Sequence, residues 1–187
     1  MGPTSAEYLA VYLADTRHPP REVVNQAKLH IADTMACIYA GTGTDAVRIL
    51  ADANKWSGTT ADVPVPGWGH AKTIDGAAQL LGTAAHAHDF DDKSYLMPGH
   101  PSAPIVAALW ATTFELATHS AHAPSGLNFL HAYIKGIEVA GKVGALIADD
   151  HTDQGWHNIS TVGLLAAAAA CAALRGLDSH LSERTLA

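Results

Sequence analysis

The stretch from His86 to Pro104 reads His-Ala-His-Asp-Phe-Asp-Asp-Lys-Ser-Tyr-Leu-Met-Pro-Gly-His-Pro-Ser-Ala-Pro, and we expect the rest of the chain to be organised around it. Three histidines, three aspartates and a lysine fall within these nineteen residues, and an alanine-rich apolar segment lies on either side. A buried polar group without a partner costs about 1–3 kcal/mol, and a buried unpaired charge costs more. Such a density of polar side chains between apolar segments indicates a functional site rather than packing alone.

The composition predicts an all-α protein. The 187 residues are 48% hydrophobic but only 6% aromatic, alanine dominates, and long runs of valine or isoleucine are absent. Alanine favours helix, whereas β-branched and aromatic residues favour strands. The length suits one domain with a substantial core. We therefore expect residues 1–187 to form a single multi-helix bundle.

Charge and patterning exclude several classes of partner. The formal net charge is −7 with histidine counted as neutral, so we expect neither nucleic acid nor an anionic membrane as a partner. The apolar run 164–174 has eleven residues, against the ~20 needed to span a bilayer. The N-terminus has no basic start and no continuous apolar stretch, which predicts no signal peptide. We predict a cytoplasmic protein.

The spacing of apolar residues and the positions of capping residues and prolines predict the order of the helices. Thr4 and Glu7 have capping-box spacing and open a first helix that runs to about Thr16. An extended connector is predicted from Lys55 to Gly69, because its alternating valines and prolines cannot continue a helix. The other predicted helices cover about 21–41, 45–53, 74–86, 102–118, 127–147, 161–175 and 181–187, with loops at 118–126 and 149–160.

Two polar loops each follow one helix and precede an alanine-rich helix, so both are expected to open at the same end of the bundle. His100 and His157 then face one pocket. Two imidazoles and a carboxylate suit proton transfer next to a substrate carboxylate, because a neutral imidazole accepts a proton and a charged one donates it. The ammonium group of Lys93 is suited to hold an anionic substrate. The alternative for His100 is a structural hydrogen bond at the start of the helix that follows it.

A metal site is the rival interpretation of the same stretch. Its imidazoles and carboxylates suit zinc, iron or manganese, and they include a His-Asp pair like that of metal-dependent phosphohydrolases. However, His86 and His88 are two residues apart and diverge on a helix. The candidate ligands are His86, His88, Asp89, Asp91 and Asp92. No Gly-x-Gly-x-x-Gly or Walker pattern follows a predicted strand. We expect neither a metal nor any other cofactor.

The central motif resembles that of the MmgE/PrpD family, which includes 2-methylcitrate dehydratase, cis-aconitate decarboxylase and iminodisuccinate epimerase. The resemblance rests on His-Ala-His-Asp-Phe-Asp-Asp at 86–92 and His-Pro-Ser-Ala-Pro at 100–104. Further similarity lies in the segments 31–41, 136–138, 155–157, 161–163 and 174–178. The resemblance implies an all-helical domain, usually dimeric, and cofactor-independent lyase or isomerase chemistry on small di- or tricarboxylates.

The resemblance also implies roles for individual residues. Asp89, His100 and His157 are expected in the active site, with the histidines transferring protons and Asp89 orienting one of them. Lys93 stands where many relatives have threonine, and we expect its ammonium group to bind a substrate carboxylate. Family members continue into a further active-site lysine and a lid domain. We therefore expect this chain to be a truncated, N-terminal portion of the helical domain that lacks the lid.

The leading hypothesis is a cofactor-independent lyase of the 2-methylcitrate dehydratase type, which removes a proton next to a carboxylate and eliminates a leaving group. Its expected partners are a small carboxylate substrate and a second copy of the chain in a homodimer. A hypothesis of a different class is a catalytically silent helical module that dimerises or binds. A metal-dependent HD-type phosphohydrolase is the third.

Overall fold

The computed structural model describes residues 2–53, 61–119 and 123–187. Within these ranges the chain forms eight helices and one β-hairpin, so the predicted all-α class is confirmed. The helices are α1 (Ser5–Ala14), α2 (Arg21–Gly41), α3 (Asp45–Ala53), α4 (Ile74–His86), α5 (Ser102–His119), α6 (Gly126–Asp153), α7 (Asn158–Leu174) and α8 (Ser179–Leu186). The hairpin pairs β1 (Val63–Val65) with β2 (Gly69–Ala71) in antiparallel register. None of the described helices is long and apolar enough to cross a membrane.

The first helix begins as its sequence predicts. The Thr4 hydroxyl accepts the Glu7 N–H at 3.2 Å, and the Glu7 carboxylate accepts the Thr4 N–H at 2.5 Å. This reciprocal pair satisfies two backbone donors that a helix start leaves without partners. Ser125 and Asn128 form the same kind of capping box at the start of α6. Hydrogen bonds between residues close in sequence thus satisfy backbone donors at both helix starts.

Small residues allow the helices to approach closely. A Cβ added at Gly41 of α2 would lie 2.0 Å from the carbonyl oxygen of Ala84 in α4. One added at Gly136 of α6 would lie 2.9 Å from the Cβ of Ala170 in α7. Only glycine fits at these points without displacing the neighbouring helix. The alanine-rich sequence therefore gives short distances between helices rather than a core of large side chains.

An apolar anchor within the polar stretch fixes it to the core. Met97 is fully buried in the same cluster as Ile105 and Leu109 of α5. Burying a methionine side chain contributes about 1.5–3 kcal/mol. The stretch is thus held in its middle as well as by the helix at each end, α4 and α5.

Two helix boundaries near the site differ from the prediction. α6 continues to Asp153 instead of ending near Ile147, because no glycine or proline interrupts the chain before Gly155, whose φ is +86°. α7 begins at Asn158, earlier than predicted. The predicted polar loop over 149–160 is consequently reduced to the four residues 154–157.

The predicted connector from Lys55 to Gly69 contains the first strand of a hairpin rather than a plain extended segment. Val63 and Val65 are buried, and the Trp110 indole N–H donates to the carbonyl oxygen of Pro64 at 2.8 Å. Pro64 is tolerated because a two-stranded ribbon leaves the outer side of each strand unpaired. Residues 55–60 of this connector and 120–122 of the predicted loop 118–126 lie outside the described residues.

Gly144 of α6 contacts the backbone of the polar stretch: an added Cβ would lie 2.5 Å from the Leu96 carbonyl oxygen and 2.8 Å from Met97 Cα. We expect Gly144→Ala to lower the free energy of unfolding by about 1–3 kcal/mol, because backbone atoms must shift to admit the methyl group. Gly126→Ala in the same helix is the control, since nothing lies within 4 Å of its added Cβ. Urea unfolding followed by circular dichroism measures both; equal stabilities would contradict the close packing.

Candidate active site

A reversal of the chain after α4 shapes the polar stretch. His86 is the last residue of α4, and Asp89 adopts a left-handed backbone with a φ of +57°. Aspartate is one of the few residues other than glycine that visit this region readily. The chain therefore turns directly after the helix. The turn brings Asp91, and later His100, back to the end of α4 beside His86.

His86, Asp89, Asp91 and His100 form one compact group, termed here the His-Asp cluster. The Nδ1 atom of His86 lies 2.9 Å from Asp91 Oδ1, and the Nδ1 atom of His100 lies 3.3 Å from the same oxygen. On the other side of the His100 ring, Nε2 lies 3.3 Å from Asp89 Oδ1. The centroids of the two rings are 4.6 Å apart. A single carboxylate, that of Asp91, thus contacts both imidazoles.

The partners of His100 assign its tautomer. Its Nδ1 lies 3.1 Å from the backbone carbonyl oxygen of Asp91, and a carbonyl oxygen only accepts, so Nδ1 carries the hydrogen. Nε2 faces the Asp89 carboxylate, which only accepts, so this contact is attractive when Nε2 also carries a hydrogen and the ring is charged. Nε2 is therefore the atom of His100 that is suited to accept and release a proton.

The two carboxylates of the cluster differ in exposure. The Asp91 side chain is 0% exposed, whereas that of Asp89 is 76% exposed. A carboxylate withdrawn from water needs partners, and Asp91 Oδ1 has them in the two imidazoles. Its other oxygen, Oδ2, has no hydrogen-bond partner in the described part of the chain. The cluster is thus anchored on its inner side and open to solvent on its outer side.

A second network joins the stretch to α5 and α6. Asp92 accepts the Ser102 hydroxyl at 2.7 Å and the Ser102 N–H at 3.2 Å. Because the Ser102 hydroxyl hydrogen goes to the carboxylate, the Tyr133 hydroxyl, 2.6 Å away, donates to Ser102. Burial raises the pKa of Tyr133, so the phenol keeps the proton that it donates. His30 Nδ1 lies 3.4 Å from Asp92 Oδ2.

A cavity of about 410 Å³ lies between α2, the polar stretch and α6. Two basic side chains, Lys93 and His30, and two acidic ones, Asp92 and Glu138, border it. Lys93 is exposed. Lys93 is thus an exposed basic residue that the polar stretch contributes to the lining of this cavity.

His157 lies apart from the His-Asp cluster. It is the N-cap residue of α7, and its Nδ1 lies 3.1 Å from the Ser160 hydroxyl. The neighbouring Asn158 amide donates to the Pro98 carbonyl oxygen at 2.9 Å. A Cβ added at Gly99 would lie 3.0 Å from the side chain of the next residue, Ile159. The start of α7 thus contacts the polar stretch just before His100.

Comparison with known proteins assigns the chain to a family. Residues 6–187 match the MmgE/PrpD N-terminal domain. The chain belongs to the MmgE/PrpD family. It is 31% identical over 183 residues to the cis-aconitate decarboxylase of Homo sapiens, an alignment that covers 95% of this chain and 37% of that protein.

Two fungal relatives give a similar result. The chain is 31% identical over 166 residues to a cis-aconitate decarboxylase-like protein of Aspergillus oryzae, covering 88% of the chain and 34% of the relative. It is 26% identical over 168 residues to the cis-aconitate decarboxylase of Aspergillus terreus, an alignment that covers 89% of this chain and 34% of that protein. The MmgE/PrpD chain thus spans about a third of the length of these curated relatives.

The predicted family is confirmed, and the four predicted site residues lie in three places. Asp89 and His100 are in contact within the His-Asp cluster. Lys93 borders the cavity, and His157 occupies the N-cap position of α7 without a side-chain capping hydrogen bond. The structure therefore joins two of the four directly. The catalytic role of each residue in this MmgE/PrpD chain stays a prediction.

Three residues acquire a place in the site that their sequence does not predict. His86 and Asp91 are predicted only as metal ligands. In the structure Asp91 contacts the His100 ring, and His86 contacts Asp91. A signal for His86 exists, because it is the last residue of a helix that leads directly into the polar stretch. Tyr133 gives no such signal, since a single tyrosine in an apolar helix usually fills a core.

We expect Ser102→Ala to destabilise the protein by about 1–3 kcal/mol, because it removes a donor from Asp92 and the acceptor of the buried Tyr133 hydroxyl. Tyr133→Phe is the matched comparison. It removes only the donor at the end of the chain of hydrogen bonds, so its expected cost is about 0.5–1.5 kcal/mol. Chemical denaturation measures both, and a larger loss in Tyr133→Phe would contradict the assigned direction of these hydrogen bonds.

Proposed function

We propose that this chain carries acid–base residues of a cofactor-independent lyase that acts on a small di- or tricarboxylate. The main support is the contact between His100 Nε2 and the exposed Asp89, with the same ring held from behind by the buried Asp91. An imidazole fixed in one tautomer is a suitable general base or acid, and such groups contribute about 10²–10⁴-fold to a rate. Membership of the MmgE/PrpD family supports lyase chemistry.

In a dehydration of the 2-methylcitrate type, the neutral Nε2 of one imidazole takes a proton from the carbon next to a substrate carboxylate. The electron pair of that C–H bond forms the new double bond, and the hydroxyl group leaves from the adjacent carbon. The leaving oxygen receives a proton, so that water departs. The tautomer of His100 suits it for the first transfer, and we propose His157, in its charged form, for the second.

The names of the relatives favour a second form of the reaction, the decarboxylation of cis-aconitate. Here a C–C bond breaks, carbon dioxide leaves, and its electron pair stays on the substrate as an enolate-like anion. A charged imidazole then donates a proton to carbon. The dehydration uses two proton-transfer groups and the decarboxylation one, in each case beside an anionic substrate. They differ in the bond that breaks, and hence in the acid that the pocket must hold.

We propose that Lys93 binds a carboxylate of the substrate. Lys93 lines the cavity and lies four residues after Asp89. Two opposite charges 4 Å apart attract by about 1 kcal/mol in bulk water and by about 4 kcal/mol near a protein surface. Because Asp92 is engaged with Ser102, the ammonium group is suited to an external anion. His30, when charged, adds a second cation at the same cavity.

We expect His100→Ala to reduce turnover by about 10²–10⁴-fold while the helical content stays unchanged. The purified chain is incubated with cis-aconitate, 2-methylcitrate or iminodisuccinate, and the products are followed by NMR. His70→Ala is the control, because His70 lies on β2 and pairs with Asp62 outside the His-Asp cluster. Unchanged turnover in His100→Ala would refute the proposed role.

The same assay separates the lyase from a silent helical module. If the unsubstituted chain turns over none of the three acids and sediments as a dimer in analytical ultracentrifugation, the dimerising or binding module is the better description. Exposed apolar side chains near the site support self-association as a homodimer. They include Phe90, Tyr95, Leu96 and Trp156.

We expect Lys93→Met to raise the KM for the acid that the chain uses by about tenfold, which corresponds to about 1.4 kcal/mol of lost binding. The value of kcat should change less, because a group that holds the substrate in both ground and transition state affects KM first. Lys72→Met is the control: Lys72 pairs with Asp62 and is not a lining residue of the cavity. Equal KM values for the two variants would contradict a substrate contact by Lys93.

A further inference from the structure

The His-Asp cluster holds more groups than proton transfer by His100 requires. One imidazole and one orienting carboxylate are sufficient for that reaction, yet His86 and Asp91 join them. One nitrogen or oxygen atom from each of the four residues lies within 4.8 Å of the others. Two imidazoles and two carboxylates make a complete set of four ligands for a borderline-soft divalent ion.

The distances within the cluster fit such an ion. In tetrahedral zinc sites the ligand bonds are about 2.0–2.2 Å, so ligand atoms lie about 3.3–3.6 Å from one another. Asp91 Oδ1 lies 2.9 Å and Asp89 Oδ1 3.9 Å from His86 Nδ1. The two 3.3 Å contacts of His100 are made by different nitrogens of its ring, Nε2 to Asp89 and Nδ1 to Asp91. One imidazole binds an ion through one nitrogen, so the exposed Asp89 side chain must shift to complete the set; one ligand atom from each of the four residues already lies within 4.8 Å of the others.

The buried carboxylate provides an independent indication. Asp91 is 0% exposed, and its Oδ2 has no hydrogen-bond partner in the described part of the chain. Asp89 and Asp91 bring two carboxylates to the same cluster. A divalent cation balances both charges at once, and buried charges are normally either paired or bound to a metal.

This ligand set differs from the one that the sequence suggests. The sequence places His88 next to His86, but the His88 ring points its Nε2 to the Ala40 carbonyl oxygen, 3.3 Å away. His100 takes its place, because the turn at Asp89 returns the chain to the end of α4. The objection that two histidines two residues apart diverge on a helix therefore does not apply.

We propose that the His-Asp cluster binds one divalent transition-metal ion through His86, Asp89, Asp91 and His100. The binding itself is independent of the proposed lyase function. Its consequence rests on that function: an ion at the centre of the cluster withdraws His100 and Asp89 from proton transfer, so metal binding inhibits turnover. The site thus acts as a metal-sensitive control on the acid–base pair.

Isothermal titration of the purified chain with Zn²⁺, without substrate, tests the proposal. We expect one ion per chain, and an affinity that falls at least about tenfold in His86→Ala, since even supporting residues of a metal site change affinity by about 10–100-fold. His88→Ala is the matched control, because it removes a neighbouring imidazole outside the cluster. Circular dichroism checks that both variants are folded.

Co²⁺ adds a spectroscopic measurement, because four-coordinate Co²⁺ absorbs visible light more strongly than the hydrated ion. The unsubstituted chain and His88→Ala should show this absorption, and His86→Ala should lose it. Substoichiometric Zn²⁺ binding, or the same affinity in His86→Ala as in His88→Ala, would overturn the site. Since no substrate is present, either result is distinguishable from failure of the lyase proposal, which is measured by turnover in His100→Ala.

Discussion

The burial of one carboxylate, that of Asp91, constrains the whole site. Its Oδ1 contacts both His86 and His100, and a carboxylate without water is stable only beside such partners. Contact of Asp91 with both imidazoles requires a particular path of the chain. α4 ends at His86, the backbone turns at Asp89, and the chain comes back at His100 to the end of α4. Each of these features is local and small. The loss of any one leaves the buried Asp91 carboxylate without a partner in apolar surroundings, which costs several kcal/mol.

Helices built from small residues make that path possible. Gly144 allows α6 to approach the backbone of Leu96 and Met97, and Gly41 allows α2 to approach α4. The stretch is therefore held by close backbone contacts and one buried methionine, in addition to the side-chain hydrogen bonds of Asp92 and Asn158. Backbone contacts leave less freedom than side-chain contacts, because a backbone cannot change rotamer. A site built in this way keeps its charged groups in place while its outer carboxylate, Asp89, remains in water.

The sequence predicts much of the fold because its signals are local. The capping box at Thr4, the prolines near residue 64 and the small-residue face of α4 each act within a few residues. The end of α6 is mispredicted because polarity does not stop a helix, whereas a glycine such as Gly155 does. Within the site, the density of polar residues predicts the stretch but not its pairings. The contact of His86 with Asp91 depends on a left-handed aspartate, and no periodicity encodes that conformation.

The same chemistry underlies both proposals for the cluster. A general base and a metal ligand each use the lone pair of a neutral imidazole, so His100 cannot serve both at once. The inner carboxylate favours either use: it orients the ring for proton transfer, and it supplies charge to a cation. The outer carboxylate, that of Asp89, distinguishes proton transfer from metal binding. Asp89 is exposed, so water screens its attraction for any cation, but a divalent ion interacts with a carboxylate twice as strongly as a single charge at the same distance. A free metal ion at sufficient concentration therefore shifts the cluster from proton transfer to coordination without any change in the fold.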